Sequence, residues 1–211
     1  MTALPLPNVT APTDALRDAL PDASRRGWII ATGVAGGAAA LATAVPLVSS
    51  MSPSERARAA GAAVEVDIGD IPPGGMKTVE WRGKPVWIVR RTPEQLAALP
   101  ALDPQLVDPA SRRDQQPAAA ANAHRSLRAE VFVAVGICTH LGCSPTAVAA
   151  GSANPSVGEG WAGGFFCPCH GSTFDLAGRV FKNKPAPTNL EVPPHRYITD
   201  ARLLIGEDGS A

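Results

Sequence analysis

The sequence predicts an all-β domain that is exported behind one N-terminal transmembrane helix. Residues 27–48 form a run of 22 positions without a charged side chain. Glycine and proline account for 20 and 21 of the 211 residues, a share typical of a turn-rich β protein rather than of a helical bundle. Several short segments beyond residue 63 alternate apolar and polar side chains with the period of a strand.

The charge balance excludes one class of function. Nineteen Lys and Arg residues balance nineteen Asp and Glu residues, so the formal net charge is zero. Proteins that bind nucleic acid need a basic surface, and none is expected here. One Tyr and five Phe also leave little material for a surface on which bases could stack.

The uncharged run at residues 27–48 is predicted to be the membrane anchor, because 22 residues reach about 33 Å as a helix. It lacks the polar stripe of a buried core helix. Arg25 and Arg26 directly precede it, a pattern that indicates a twin-arginine signal for exporting folded proteins across a bacterial membrane. A cleavage site ending at Ala44 is the alternative to a retained anchor. We expect residues 1–26 in the cytoplasm and everything after about Ser50 outside.

The exported part is predicted to begin with a flexible polar tether over residues 49–63, followed by short strands. The turn Arg82-Gly83 joins two of these strands as a hairpin. The predicted strands cover residues 64–67, 76–81, 84–90, 130–136, 173–182 and 196–205. A short helix follows the hairpin, with Thr92 as its N-cap and with Leu96 and Leu99 facing inward.

The remaining segments contain no further regular pattern. Residues 101–128 are rich in Ala, Gln, Arg and Pro without periodicity, and we expect an exposed insertion. His124 and His195 have no Cys neighbour and are expected at the surface. Trp81 and Trp87 are expected in the core, and Asp175 is expected to pair with Arg179 across a turn.

All four cysteines and two of the four histidines lie in two short boxes, CTHLGC at residues 138–143 and CPCHGS at residues 167–172. Two Cys and two His make a four-ligand metal site. Zinc sites use these residue types at wider spacings, and two plain disulfides would leave both histidines without a role. The spacings C-x-H and C-x-x-H on Gly/Pro-rich loops favour a 2Fe–2S cluster with thiolates on one iron and imidazoles on the other.

These boxes resemble the cluster-binding boxes of the Rieske iron–sulfur proteins of quinol–cytochrome c oxidoreductases. The resemblance also covers the anchor, the tether, the stretches WRGKPVWIVRRTPE and FDLAGRVF, and the sequence Pro185-Ala186-Pro187. Rieske ferredoxins and ring-hydroxylating oxygenases are similar in the four ligands but lack the second pair of cysteines. The resemblance implies a Rieske-type domain of small antiparallel sheets over residues 64–211, with a cluster-binding subdomain at about 130–195 on a base subdomain.

The resemblance also implies the roles of individual residues. Four would ligate one 2Fe–2S cluster: Cys138 and Cys167 on the inner iron, His140 and His170 on the outer iron. Cys143 and Cys169 would form a disulfide between the two loops. The histidines and Leu141 would contact quinol, which requires that at least one ring reach the surface.

Two further residues would tune the cluster from its surroundings. Ser172 can donate its hydroxyl to a cluster sulfide, which raises the reduction potential. Family members often carry a tyrosine where this chain has Phe174, so we expect a lower potential than in those relatives. Lys184 stands where relatives often have glycine, which affects the shape of the proline loop.

The function implied is that of the iron–sulfur subunit of a ubiquinol–cytochrome c reductase, an oxidoreductase of the respiratory chain. Such a subunit takes an electron and a proton from quinol at a site shared with cytochrome b and passes the electron to a c-type cytochrome. The implied location is a bacterial inner membrane, with one span, lipid contacts, a periplasmic cluster domain and a dimeric complex. The alternative is a soluble exported Rieske subunit of another oxidoreductase, similar to arsenite oxidase.

Overall fold

The computed structural model describes residues 23–54 and 61–208. The chain divides into an N-terminal unit, residues 1–54, and a C-terminal unit, residues 55–211. Most of the predicted cytoplasmic tail and the middle of the predicted tether lie outside the described residues.

The N-terminal unit contains one long helix, α1, at Ala23–Ser50. All its described side chains, residues 24–50, are exposed. Its two threonine hydroxyls are satisfied within the helix: Thr32 donates to Trp28 O at 2.8 Å and Thr43 donates to Ala39 O at 3.0 Å. A helix that is apolar all round and satisfies its own polar groups suits a bilayer. The helix is long and apolar enough to cross a membrane, as the sequence predicts.

The described part of the C-terminal unit contains nine strands and a second helix, α2. The strands are β1 Val64–Asp67, β2 Met76–Trp81, β3 Lys84–Arg90, β4 Val131–Val135, β5 Thr146–Val148, β6 Gly164–Phe166, β7 Thr173–Asp175, β8 His195–Thr199 and β9 Arg202–Ile205. They form three antiparallel sheets with the orders β1-β9-β8, β2-β3-β4 and β5-β6-β7. The prediction of an all-β domain of small antiparallel sheets is confirmed.

The β2-β3-β4 sheet separates two hydrophobic cores, because alternate side chains of a strand point to opposite faces. Val86 and Ile88 of β3 pack into a core that also contains Leu203, and we call this the base core. Trp87 and Val89 point the other way, into a core that contains both unpaired cysteines and that we call the box core. All five residues of β4 are buried, since this strand also contributes to both cores.

The local signals at the hairpin and at α2 have the expected structural effect. Arg82 and Gly83 both have positive φ, 52° and 70°, as a tight type I′ hairpin turn requires. Helix α2 spans Pro93–Leu102, and the Thr92 side chain accepts from the backbone of Gln95 in a reciprocal capping box. Leu99 is buried as predicted, while Leu96 is half-buried.

The prediction that residues 101–128 form an exposed insertion is wrong. Leu106, Ala120 and Arg125 are each at most 1% exposed. Leu106 also pairs with Phe181 in an isolated β-bridge. The segment lacks periodicity because it is an irregular strap, held by individual contacts rather than by one face of a helix or strand.

Buried arginines fasten this strap to the box-bearing part of the domain. The Arg125 guanidinium donates to Ala177 O at 3.2 Å, Gly178 O at 3.3 Å and Leu190 O at 2.6 Å. Burial lowers the pKa of Arg125 to about 10, so the group keeps its charge at neutral pH. Hydrogen bonds from a charged donor to several carbonyl oxygens offset the desolvation of a buried guanidinium.

The predicted pairing of Asp175 with Arg179 is confirmed, whereas the predicted surface position of His195 is wrong. Asp175 and Arg179 do pair, with Arg179 Nε donating to Asp175 Oδ2 at 2.7 Å, and both side chains are buried. His195 is not at the surface: it is 1% exposed, with Nδ1 2.8 Å from Pro193 O. Its position as the first residue of β8, opposite Ile205 of β9, carries the ring into the domain.

Candidate metal centre

The two boxes form loops with the same backbone hydrogen bonds. In the first box, Cys138 N–H donates to Cys143 O at 2.7 Å and Gly142 N–H donates to Cys138 O at 3.0 Å. The second box repeats the pattern: Cys167 N–H donates to Ser172 O at 2.8 Å and Gly171 N–H donates to Cys167 O at 3.0 Å. Each loop therefore reverses the chain over six residues and places its first cysteine at the base.

A glycine at the fifth position makes each loop possible. Gly142 has φ +83° and Gly171 has φ +77°, in the left-handed region that side chains disfavour. Nothing lies within 4 Å of the Cβ that either glycine lacks. Backbone conformation, rather than space, is therefore what requires glycine here.

The loops bring the four predicted ligand residues together with a gradient of exposure. Cys138 and Cys167 are unpaired and each 2% exposed. Cys167 lies close enough to Cys138 to help raise the pKa of its thiol. The ring centroids of His140 and His170 lie 4.8 Å apart with their planes at 87°. His140 is half-buried and His170 is exposed. Two sulfurs thus lie inside the domain and two imidazoles toward the solvent.

The other two cysteines form a disulfide that joins the loops. Cys143 and Cys169 are bonded across a sequence separation of 26. Their sulfurs and that of Cys167 all lie within 4.8 Å of one another. A disulfide offers no thiolate, however, so this trio is not a metal site. The thiols available for a metal are Cys138 and Cys167.

This arrangement fits the donor set of a mixed-ligand 2Fe–2S cluster. Burial raises the pKa of the Cys138 thiol, so a bound cation is what would stabilise its thiolate form in this apolar place. Imidazole nitrogens at the outer side match the ligands of the second iron of such a cluster. A Cys2His2 zinc site uses the same residue types, so geometry alone leaves both groups open.

Ser172 and Phe174 are buried side chains of the second box and of the strand that follows it. Ser172 is 0% exposed; its hydroxyl accepts from Ala186 N–H at 3.0 Å and acts to lower the pKa of Cys138 against the larger effect of burial. Phe174 is 0% exposed and lies in the box core with both unpaired cysteines. Its ring has no hydroxyl, so it provides packing without a hydrogen bond.

Sequence reasoning missed two residues that hold the proline loop, residues 185–188, beside the boxes. Thr139, between two predicted ligands, donates from Oγ1 to Thr188 O at 2.7 Å. Arg113, from the strap, donates from Nη1 to Pro187 O at 2.7 Å. The hydroxyl beside a ligand could have drawn attention to Thr139. No local signal marks Arg113, because its partner is 74 residues away.

Leu141 stands out at the tip of the first loop. Its side chain is 70% exposed although it is large and apolar. It directly follows His140 and precedes Gly142, which is also exposed. An exposed apolar side chain beside two imidazoles provides a surface that an apolar molecule or a partner protein could cover.

Comparison with known proteins identifies the group that the site would hold. Residues 110–194 match the family model of the Rieske [2Fe-2S] domain. The match begins inside the strap, which agrees with the structural finding that the strap is part of the domain. A Rieske domain binds a 2Fe–2S cluster, so the zinc alternative is not supported.

The similarity extends over nearly the whole chain in several bacterial proteins. The "Ubiquinol-cytochrome c reductase iron-sulfur subunit" of Allochromatium vinosum is 57% identical over 188 residues, 89% of this chain and 90% of that protein. The protein of the same name from Rhodospirillum rubrum is 43% identical, covering 88% of this chain and 93% of the relative. "Cytochrome b-c1 complex subunit Rieske-1, mitochondrial" from Arabidopsis thaliana is 44% identical over 76% of this chain and 51% of that protein.

Proposed function

This chain belongs to the Rieske iron–sulfur subunits of ubiquinol–cytochrome c reductases, and we propose that it carries single electrons from quinol, bound beside cytochrome b, to a c-type cytochrome. The observation that carries this proposal is the exposure gradient at the boxes, with two buried sulfurs behind two imidazoles that approach the surface. An electron carrier needs its redox group shielded on one side and accessible on the other. The soluble arsenite-oxidase-like alternative is not favoured by the relatives.

The ligand set of the proposal is the one the sequence indicates. Cys138 and Cys167 would hold the inner iron, and His140 and His170 would hold the outer iron. The cluster supplies one-electron chemistry at a potential of about −150 to +300 mV, higher than that of all-cysteine clusters of the plant type. The disulfide between Cys143 and Cys169 joins the two loops.

The exposed edge of the boxes would receive the quinol. His170 is exposed, so the ring nitrogen that does not ligate iron can reach a quinol hydroxyl. Once this nitrogen has lost its own proton, it would accept the hydrogen bond of the hydroxyl and take up the proton that leaves with the electron. Leu141 would cover the apolar ring of the quinol and displace water from this contact. Binding therefore places the donor next to the imidazoles rather than the buried sulfurs.

The rest of the chain would keep this site at a membrane. We propose a cytoplasmic tail at residues 1–26, a single span at residues 27–48 in lipid, and a tether at residues 49–63. The domain at residues 64–211 would lie in the periplasm of a bacterial inner membrane, with its cluster-binding subdomain at about residues 130–195. Helix α1 and the paired arginines before its apolar part support this orientation. Cytochrome b and cytochrome c1 would be its partners, in a dimeric complex.

A matched pair of variants tests the quinol contact in the membrane complex. Leu141→Ser is expected to slow quinol oxidation about tenfold or more, because the loss of an apolar contact of this size costs about 1.5–3 kcal/mol. Ile198→Ser, at another exposed apolar side chain far along the sequence, should leave the rate unchanged. Both variants should keep the electron resonance spectrum of the reduced cluster. Equal rates in both variants would contradict the proposed docking edge.

Copurification tests the partners. Mild detergent extraction of the tagged chain should yield b-type and c-type haem in constant ratio to its iron. Extraction of the full-length chain in buffer without detergent, free of haem, would contradict the membrane-bound role.

A further inference from the structure

The proline loop, residues 185–188, is held by three hydrogen bonds that come from three separate segments. They are Ala186 N–H to Ser172 Oγ at 3.0 Å, Thr139 Oγ1 to Thr188 O at 2.7 Å, and Arg113 Nη1 to Pro187 O at 2.7 Å. The first two partners belong to the two boxes. The third belongs to the strap, which is no part of the metal centre.

The Ala186 contact determines where the Ser172 hydroxyl points. Ala186 is the only one of residues 185–187 with a backbone N–H, because its neighbours are prolines. It donates to Ser172 Oγ, which leaves the hydroxyl proton free to point toward the Cys138 sulfur, whose thiol pKa this side chain lowers. Both Ser172 and Ala186 are buried, at 0% and 2% exposure, so water cannot replace either contact.

Arg113 is exposed, yet its backbone is fixed. The Asp108 carboxylate accepts from Arg112 N–H and Arg113 N–H, each at 3.0 Å, and Asp108 is only 8% exposed. Gln116 Nε2 donates to Arg113 O at 2.6 Å. The guanidinium therefore starts from an ordered backbone, which reduces the conformational entropy lost when it binds Pro187 O.

We propose that Arg113 is a positioning residue for the cluster ligands: by holding Pro187 O, it keeps the Ala186 amide on Ser172 Oγ and so keeps the serine hydroxyl directed at the ligand sulfur. The role gives the strap a part in electron transfer that its sequence does not reveal. The inference rests on the proposed role of Cys138 as a cluster ligand. Its first test, hydrogen exchange at the Ala186 amide, does not depend on that role.

Hydrogen exchange at the Ala186 amide tests the contact in the full-length, cluster-loaded chain. Arg113→Met removes the donor and keeps the apolar stem, and we expect Ala186 exchange to become about three- to tenfold faster, as loss of one hydrogen bond allows. Arg112→Met is the matched control, since it removes the same charge one residue away. Arg113→Lys, which keeps a charged donor, should restore much of the protection.

Redox titration tests the consequence for the cluster. Arg113→Met should lower the midpoint potential relative to Arg112→Met, because a misdirected Ser172 hydroxyl no longer spreads charge from the sulfur. Because Arg112→Met removes the same positive charge, the difference in midpoint potential between the two variants leaves out the through-space effect of losing that charge.

Each outcome decides the proposal. Faster Ala186 exchange and a lower potential in Arg113→Met alone support it. Equal behaviour of the two methionine variants, or acceleration spread over amides throughout the domain, would overturn it. Faster exchange with an unchanged potential would also overturn the positioning role. A chain that lacks iron would refute the proposed function, yet Ala186 exchange would still report whether Arg113 holds the loop.

Discussion

The two box loops share a backbone design and differ in what they expose. Each begins with a buried cysteine, closes with the same two hydrogen bonds and turns at a left-handed glycine. The histidine is the third residue of the first loop and the fourth of the second, and it is half-buried in one and exposed in the other. The shared backbone geometry thus fixes the positions of the two buried cysteines. The histidines differ by one position within their loops, and they differ in how exposed the imidazole is.

The largest expected effect comes from removing one imidazole. His140→Ser and His170→Ser should each abolish the cluster, because three ligands leave one iron without its full coordination. Iron analysis and visible absorbance of the purified variants measure this. His124→Ser, a half-buried histidine outside the boxes, is the control and should retain two irons per chain. Full iron content in either box variant would refute the shared ligand role of the loops.

The next effect concerns the link between the loops. Replacing both Cys143 and Cys169 by alanine should destabilise the domain by about 3 kcal/mol, the chain-entropy value for a loop of this size. The loop closed by this disulfide spans a separation of 26 residues. Thermal unfolding of the cluster-loaded protein should show a lower midpoint in the variant. An unchanged midpoint would mean that the backbone bonds alone hold the loops.

Substitution of the glycines tests whether the loops are equivalent. Gly142→Ala and Gly171→Ala should each cost about 1–2 kcal/mol, since alanine at positive φ is strained and neither site has a neighbour that would clash. Denaturant unfolding of the two variants should give similar losses. A loss of stability in only one of the two variants would contradict the equivalence of the two loops.

Phe174→Tyr is expected to have a smaller effect, a rise in midpoint potential on the order of tens of mV, if the new hydroxyl donates to a ligand sulfur. Phe174 lies fully buried with the two unpaired cysteines. Phe181→Tyr, whose ring packs against Trp161 instead, is the matched control and should leave the potential unchanged. Redox titration that finds equal potentials in both variants would contradict this role for position 174.

The smallest effect lies outside the loops, at His195. Burial lowers the pKa of this histidine, so the folded state favours the neutral ring. Its contribution to stability is present above the unfolded-state pKa of about 6.5 and is lost as pH falls below that value. Denaturation curves between pH 7.5 and pH 5, with His195→Gln for comparison, should show a shallower pH dependence in the variant. An equal pH dependence of stability in the two proteins would contradict the assignment of this effect to His195.

The sequence predicts strands β1 to β4 because their signals are local, but it misses β5 and β6, and β7 ends at Asp175 instead of residue 182. The hairpin at Arg82-Gly83 and the capping box at Thr92 each depend on neighbouring residues. The boxes could be recognised because both sulfur and nitrogen ligands lie within six residues. The strap carries no such local signal, because its stability comes from distant partners, such as the hydrogen bonds from Arg125 to the backbone around residue 178.

Pulsed electron resonance of the reduced protein, labelled with ¹⁵N only at histidine, tests the central claim most directly. The account predicts two strongly coupled histidine nitrogens, one from each box, on a cluster containing two irons per chain. A spectrum with no histidine coupling, or with a single one, would contradict the assignment of His140 and His170 to the same iron.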